Sequence, residues 1–259
     1  MKRIFIAVAL TALAAGTTAF DSPKYRTFSA HPFRPGEKVV YRVHYGWLTA
    51  GYATFSVAPA LETYKGRKCY RLYGEGRSST SFDWFYKVDD RFTSLMDYEA
   101  VMPWKYEKHW REGDYRYDDT VTFDHAARQI RGRNGKFDAP EYTQDMLTAF
   151  YYARCLDLGA AKAGDVFPVP TFFDDGVYPL GLKVLGKETI DCTLGKVRCV
   201  KVSPILIAGR VFKGEQEMTI WVTDDDKRLP VRIESPIIVG SIRADLHSYE
   251  ITRPTAAAR

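Results

Sequence analysis

The chain has 259 residues, with 37 Lys and Arg against 32 Asp and Glu for a net charge of +5, and it is 46% hydrophobic and 14% aromatic. Acidic and basic residues are interspersed without long runs of like charge, so a nucleic-acid strip and a charged tail are not expected. Phosphate-cradling glycine loops and a Gly-x-Ser-x-Gly elbow are missing, and no two histidines stand at a zinc spacing. ATP hydrolysis, serine-hydrolase chemistry and a metal centre therefore have no residues to carry them, and no cofactor is expected.

Residues 1–19 read as a signal peptide: Met1-Lys2-Arg3, the apolar run from Ile4 to Gly16, then Thr17-Thr18-Ala19. Cleavage before Phe20 is expected. No cysteine follows the apolar run to take a lipid, and no second segment reaches membrane-spanning length. The expected mature protein is exported and soluble, in the periplasm or secreted. Loss of Lys2 and Arg3 lowers the net charge of +5 by two.

Residues 20–35, with Pro23, Pro32 and Pro35, form an extended lead-in. From residue 36 the pattern turns to period two. Val39, Tyr41, Val43 and Tyr45 alternate with Arg42 and His44, which is a half-buried strand. The same grammar recurs at Tyr52 to Val57, Cys69 to Gly74, Asp90 to Asp97, Lys105 to Trp110, Tyr115 to Phe123 and Gln129 to Arg131. Residues 143–158 break it: Met146, Leu147, Phe150, Tyr151, Arg154 and Leu158 recur at helical spacing, with Thr143 as the expected N-cap and Gly159 as the stop.

Strands resume at Val166 to Phe173, Val177 to Leu185, Glu188 to Cys192, Val197 to Pro204, Leu206 to Phe212, Glu215 to Thr223, Leu229 to Ile233 and Ile237 to Tyr249. Asp224-Asp225-Asp226 reads as a hairpin turn and not a calcium loop. Residues 251–259 are expected to be a disordered tail. The fold class is mainly β, with curved antiparallel sheets and one principal helix. Residues 36–250 form either a half-open barrel or two β-halves meeting near the helix.

Chemistry is sparse. Gly195-Lys196 fits a two-residue hairpin turn that would set Cys192 opposite Cys199, at a separation a disulfide tolerates; a reduced, buried pair is the alternative. His44 and His109 would converge with Glu107 or Asp90 only if their strands were neighbours. The 17 tyrosines, 15 phenylalanines and five tryptophans suit either a filled β core or the wall of an amphiphile-binding cavity.

Three stretches carry a resemblance: Pro35-Gly36-Glu37-Lys38-Val39-Val40-Tyr41 with Ala50-Gly51-Tyr52-Ala53, the helix Asp145 to Arg154, and Ile220-Trp221-Val222-Thr223-Asp224-Asp225 with Arg228-Leu229-Pro230-Val231. Together they resemble a family of exported bacterial proteins known only as a domain of unknown function, which implies a mostly β envelope protein. A more distant architectural similarity is to periplasmic lipoprotein carriers, in which a curved sheet shelters acyl chains. That likeness implies a ligand-facing role for Phe150, Tyr151 and Trp221, to which the aromatic alternation adds Tyr41 and Tyr45. The expected function is binding of a lipid, another amphipathic molecule or an envelope protein partner. The rival expectations are an envelope hydrolase built from scattered Asp, Glu and His, and an assembly factor acting through a sheet edge.

Overall fold

The structure is a computed structural model that describes residues 24–206, 218–236 and 240–252. The expected signal peptide, the stretch 207–217 within two expected strands, the start of the last expected strand and the tail from residue 253 lie outside the described residues.

The first half is a meander of β1 (Glu37–Tyr45), β2 (Leu48–Val57), β3 (Glu62–Tyr64), β4 (Arg67–Ser78), β5 (Asp89–Asp97), β6 (Pro103–Glu112), β7 (Tyr115–Asp124), β8 (Gln129–Gly132) and β9 (Gly135–Asp138). Helix α1 (Met146–Cys155) follows. The second half holds β10 (Val166–Pro168), β11 (Thr171–Phe173), β12 (Gly176–Tyr178), β13 (Leu180–Cys192), β14 (Gly195–Leu206), β15 (Thr219–Thr223), β16 (Pro230–Pro236) and β17 (Ser241–Ile251).

The two meanders are one sheet. Its order is β10-β13-β14-β15-β16-β17-β1-β2-β4-β5-β6-β7-β8-β9, with β3 added to β4, and the first strand joins the last through antiparallel pairing of β1 with β17. The sheet curves without closing into a barrel. Its two ends are the short strands β9 and β10, and the β11–β12 hairpin and α1 occupy the gap, tied by a Gln144–Thr171 bridge and an Asn134–Asp175 hydrogen bond. Two glycines allow close backbone approach, one where the halves join and one within the first half. Gly36 takes φ +83° as the chain enters β1, where a Cβ would come within 2.0 Å of the Thr252 carbonyl oxygen. At Gly51 a Cβ would come within 2.2 Å of the Arg77 carbonyl, so β2 and β4 pack only because no side chain stands there.

The helix packs against the sheet on several sides, with Met146 exposed. Leu147 and Tyr151 pack with Leu72, Met96, Tyr106 and Val121 from β4 to β7. Phe150 faces Tyr41 and Phe55. Ala149 and Ala153 face Val184, Val200, Val202 and Val222. Contacts on more than one face explain why its hydrophobic residues exceed one stripe.

That helix is shorter than the expected 143–158. Thr143 spends its hydroxyl on the Pro140 carbonyl at 2.7 Å, and Asp145 is the N-cap. The Asp145 carboxylate accepts from the Thr148 N–H at 2.8 Å while the Thr148 hydroxyl accepts from the Asp145 N–H at 2.9 Å, a reciprocal capping box. At the other end Leu156 is already extended, with φ −72° and ψ 146°, so Gly159 is not the stop. Likewise Ile251 belongs to β17, so the expected tail boundary at residue 251 lies too early.

The cysteine pairing needs a larger correction. The β13–β14 turn is Thr193-Leu194, with Gly195 in the ladder opposite Cys192, so Cys199 stands opposite Glu188. Moving the turn by two residues displaces the expected partners by four, and all four cysteines are free thiols. Burial pushes the Cys69, Cys155 and Cys199 thiols up to about 12.

Candidate functional site

Small residues on one side of α1 leave space that the facing strands do not fill. Ala149 and Ala153 lie four apart and so share a helix face, and opposite them the alternation of β14 and β15 presents Val202, Ile220 and Val222. The result is an apolar groove of about 390 Å³, completed by residues of β11, β13 and β16. Its size lies within the range of small-molecule sites, and such sites are mostly apolar.

Among the described residues Arg154 is the one charged residue at the groove, and its guanidinium is engaged elsewhere. Its side chain is 1% exposed, Nη1 donates to Glu37 Oε1 at 2.6 Å and Nη2 to Glu37 Oε2 at 3.1 Å. Nη2 also reaches the Pro32 carbonyl at 2.9 Å, and Nε the Lys227 carbonyl at 3.2 Å. This pairing with Glu37 holds the guanidinium charged despite burial. Among the described residues the groove wall thus offers hydrocarbon and no spare charge. It suits an alkyl or polyisoprenoid chain, whose polar end would remain at the mouth.

The expected ligand residues are divided among different environments. Phe150 lines the groove and stacks on Phe55 with ring centroids 4.4 Å apart. Tyr41 and Tyr151 are wholly buried core residues, their phenols pushed well above the ordinary value by burial, and Tyr41 donates to the Pro230 carbonyl at 2.8 Å. Trp221 lies between the groove residues Ile220 and Val222, so the strand turns it away, and its Nε1 donates to Glu188 Oε2 at 3.2 Å. Tyr45 lines a separate cavity with Trp47 and Gly240 at one end of the sheet. The residues that sequence reasoning missed are aliphatic. The available signal was the pairing of Ala149 and Ala153 on the helix with apolar alternation at Val200/Val202 and Ile220/Val222.

The histidines do not converge. β1 and β6 are separated by β2, β4 and β5, so His44 faces Asp245 at 3.9 Å while His109 pairs with Asp118 at 2.7 Å. Two interior acids do have the raised pKa a hydrolase would use: burial pushes both Asp90 and Asp145 up to about 6. Each already has structural work. Asp145 caps the helix and accepts from Ser94 Oγ at 2.6 Å, and Asp90 accepts the Arg111 N–H at 2.8 Å. Neither lines the groove.

A family model described as "Protein of unknown function (DUF3108)" matches residues 40–247. No curated protein matches the chain. Among solved structures, a β-barrel-like protein of the domain of unknown function DUF1849 from Brucella abortus is similar over 86% of this chain and 100% of its own, with 11% identity and a TM-score of 0.56, which shows a shared fold. A protein from Bacteroides fragilis, described as exported with a YmcC-like fold, has 9% identity and a TM-score of 0.39 over 85% of this chain and 98% of its own. A protein from Parabacteroides distasonis, described as a lipoprotein, has 11% identity and a TM-score of 0.36 over 88% of this chain and 100% of its own.

Proposed function

This chain belongs to the DUF3108 family of proteins of unknown function, and from that premise we propose that it is an exported, non-enzymatic protein that holds the hydrocarbon part of a lipid or similar amphiphile against α1. The carrying observation is the groove of about 390 Å³ between the helix and β13 to β16, with aliphatic walls and, among the described residues, a single cation, Arg154, that is committed to Glu37. Each methylene moved from water into such a wall contributes about 0.8 kcal/mol, so a chain of modest length suffices for micromolar binding. The leader read at residues 1–19 supports export.

The rival readings draw less support. The sheet ends in strands of four and three residues, β9 and β10, which offer little edge for strand addition. The raised acids Asp90 and Asp145 are bonded to the backbone and to Ser94 rather than directed at a substrate space. The test is titration of the purified protein with a dansyl-labelled fatty acid. Saturable enhancement of fluorescence, lost in Ala149→Trp, is expected. Absence of saturable binding in the unaltered protein refutes the reading.

A further inference from the structure

One end of the sheet carries large aromatic side chains where turn residues are expected. The β1–β2 turn holds Trp47, 94% exposed, and the β4–β5 connection holds Trp84 and Phe85, 82% and 70% exposed. These reversals are neighbours. Ser79 N–H donates to the Ala50 carbonyl at 2.8 Å, which ties the β4–β5 connection to the start of β2. Gly113 N–H donates to the Lys87 carbonyl at 2.8 Å and Tyr86 Oη to Glu112 at 3.3 Å, which tie it to the β6–β7 turn and to the half-exposed Tyr115 beyond. The segment holding Trp84 is itself ordered by turn bonds, Asp83 N–H to the Ser79 carbonyl at 2.9 Å and Tyr86 N–H to the Phe82 carbonyl at 3.1 Å. The aromatic rings therefore project from a built rim, and they bury little within this chain.

Charge decides what the rim fits. At the same end of β5 to β7, next to the Trp84 segment, a cavity of about 500 Å³ is lined by Lys87, Arg91, His109, Arg111 and Arg116 with Asp89. Asp89 pairs with Arg91 at 3.3 Å and Asp118 with Arg111 at 2.6 Å. Among the described residues no carboxylate lies within ion-pair distance of Lys87 or Arg116. Arg116 Nη1 donates to the Gly113 and Tyr115 carbonyls at 2.7 and 2.8 Å, which leaves its charge without a carboxylate. Exposed indole and phenyl groups beside cations without carboxylate partners match the layering of a membrane surface, where aromatic rings enter the headgroup region and cations meet lipid phosphates. A protein partner would be expected to bring a cleft for the rings, whereas a bilayer accepts tips of separate hairpins at one depth.

We propose that this rim docks onto the surface of an anionic phospholipid bilayer, with Trp47, Trp84 and Phe85 entering the headgroup region and Lys87 and Arg116 meeting phosphates. The inference stands on the rim and does not require the groove to be filled. The same end of the sheet carries Pro204 and Ile233 of the groove wall, toward the ends of β14 and β16, so docking would bring the groove mouth toward the lipid.

The test is co-sedimentation with vesicles of phosphatidylcholine alone and of phosphatidylcholine containing phosphatidylglycerol, read alongside tryptophan emission. Binding to the anionic vesicles with a blue shift is expected. Replacing Trp47, Trp84 and Phe85 by Ala should abolish it, and Lys87→Gln with Arg116→Gln should lower partition by about thirtyfold on the anionic vesicles, with far-ultraviolet dichroism unchanged in both variants. No sedimentation with either vesicle, binding that survives loss of the three aromatics, or binding indifferent to vesicle charge overturns the proposal. Ala149→Trp should still sediment, so failure of the groove reading and failure of the rim reading are separately visible.

Discussion

Arg154 and Glu37 join four parts of the chain at one buried point: the lead-in through Pro32, β1 through Glu37, the helix, and the β15–β16 turn through Lys227. Removing one member leaves the other charge buried without a partner, which costs about 3–5 kcal/mol. Arg154→Met should lower the stability measured by urea unfolding by that amount, and combining it with Glu37→Gln should recover part of the loss. A loss below about 1 kcal/mol would contradict the buried pair. Asp145 works in the opposite direction. Burial raises its pKa from 3.8 to about 6, so protonation favours the folded state; its contribution is full below about pH 4 and is lost as pH rises through 6, amounting to about 2–3 kcal/mol. Asn caps a helix as well as Asp does, so Asp145→Asn should keep the fold and flatten the fall in stability between pH 4 and 7. An unchanged slope would show that this carboxyl titrates normally.

At the scale of elements, the seven strands of the first half that the sequence marks by alternation stand where expected, because most turn one face toward the apolar interior and the other outward. What alternation did not reveal was length and register. The expected strands Val177 to Leu185 and Glu188 to Cys192 are largely one strand, β13, whose irregularity at Gly186 shifts the pairing without ending it. Hairpin register depends on which residues occupy the turn: Gly195, at φ +88°, follows the Thr193-Leu194 reversal instead of opening one with Lys196, and the Cys192–Cys199 expectation failed there. Gly51 tests the close packing of β2 on β4. Gly51→Ala puts a methyl into the Arg77 carbonyl, so the strands must separate, and a loss of about 1–3 kcal/mol is expected by thermal or urea unfolding. A neutral effect would mean the strands do not approach so closely.

For the molecule as a whole, the sequence disclosed a mainly β chain wrapped around one helix, and the structure makes it a single curved sheet in which the first and last strands are partners. The groove was poorly legible because it is defined by absence: two alanines on α1 leave room that only the three-dimensional path of β13 to β16 encloses. The aromatic residues drew attention from sequence because they are large, and for that reason Tyr41 and Tyr151 fill the core instead. The central claim is that the groove holds hydrocarbon. Its most direct test is mass spectrometry of the small molecules retained by the protein purified from its native envelope, beside the Ala149→Trp variant prepared identically. The account predicts a stoichiometric lipid or amphiphile in the unaltered protein and its loss from the variant. An unaltered protein that retains no such molecule, or a variant that retains it equally, contradicts the account.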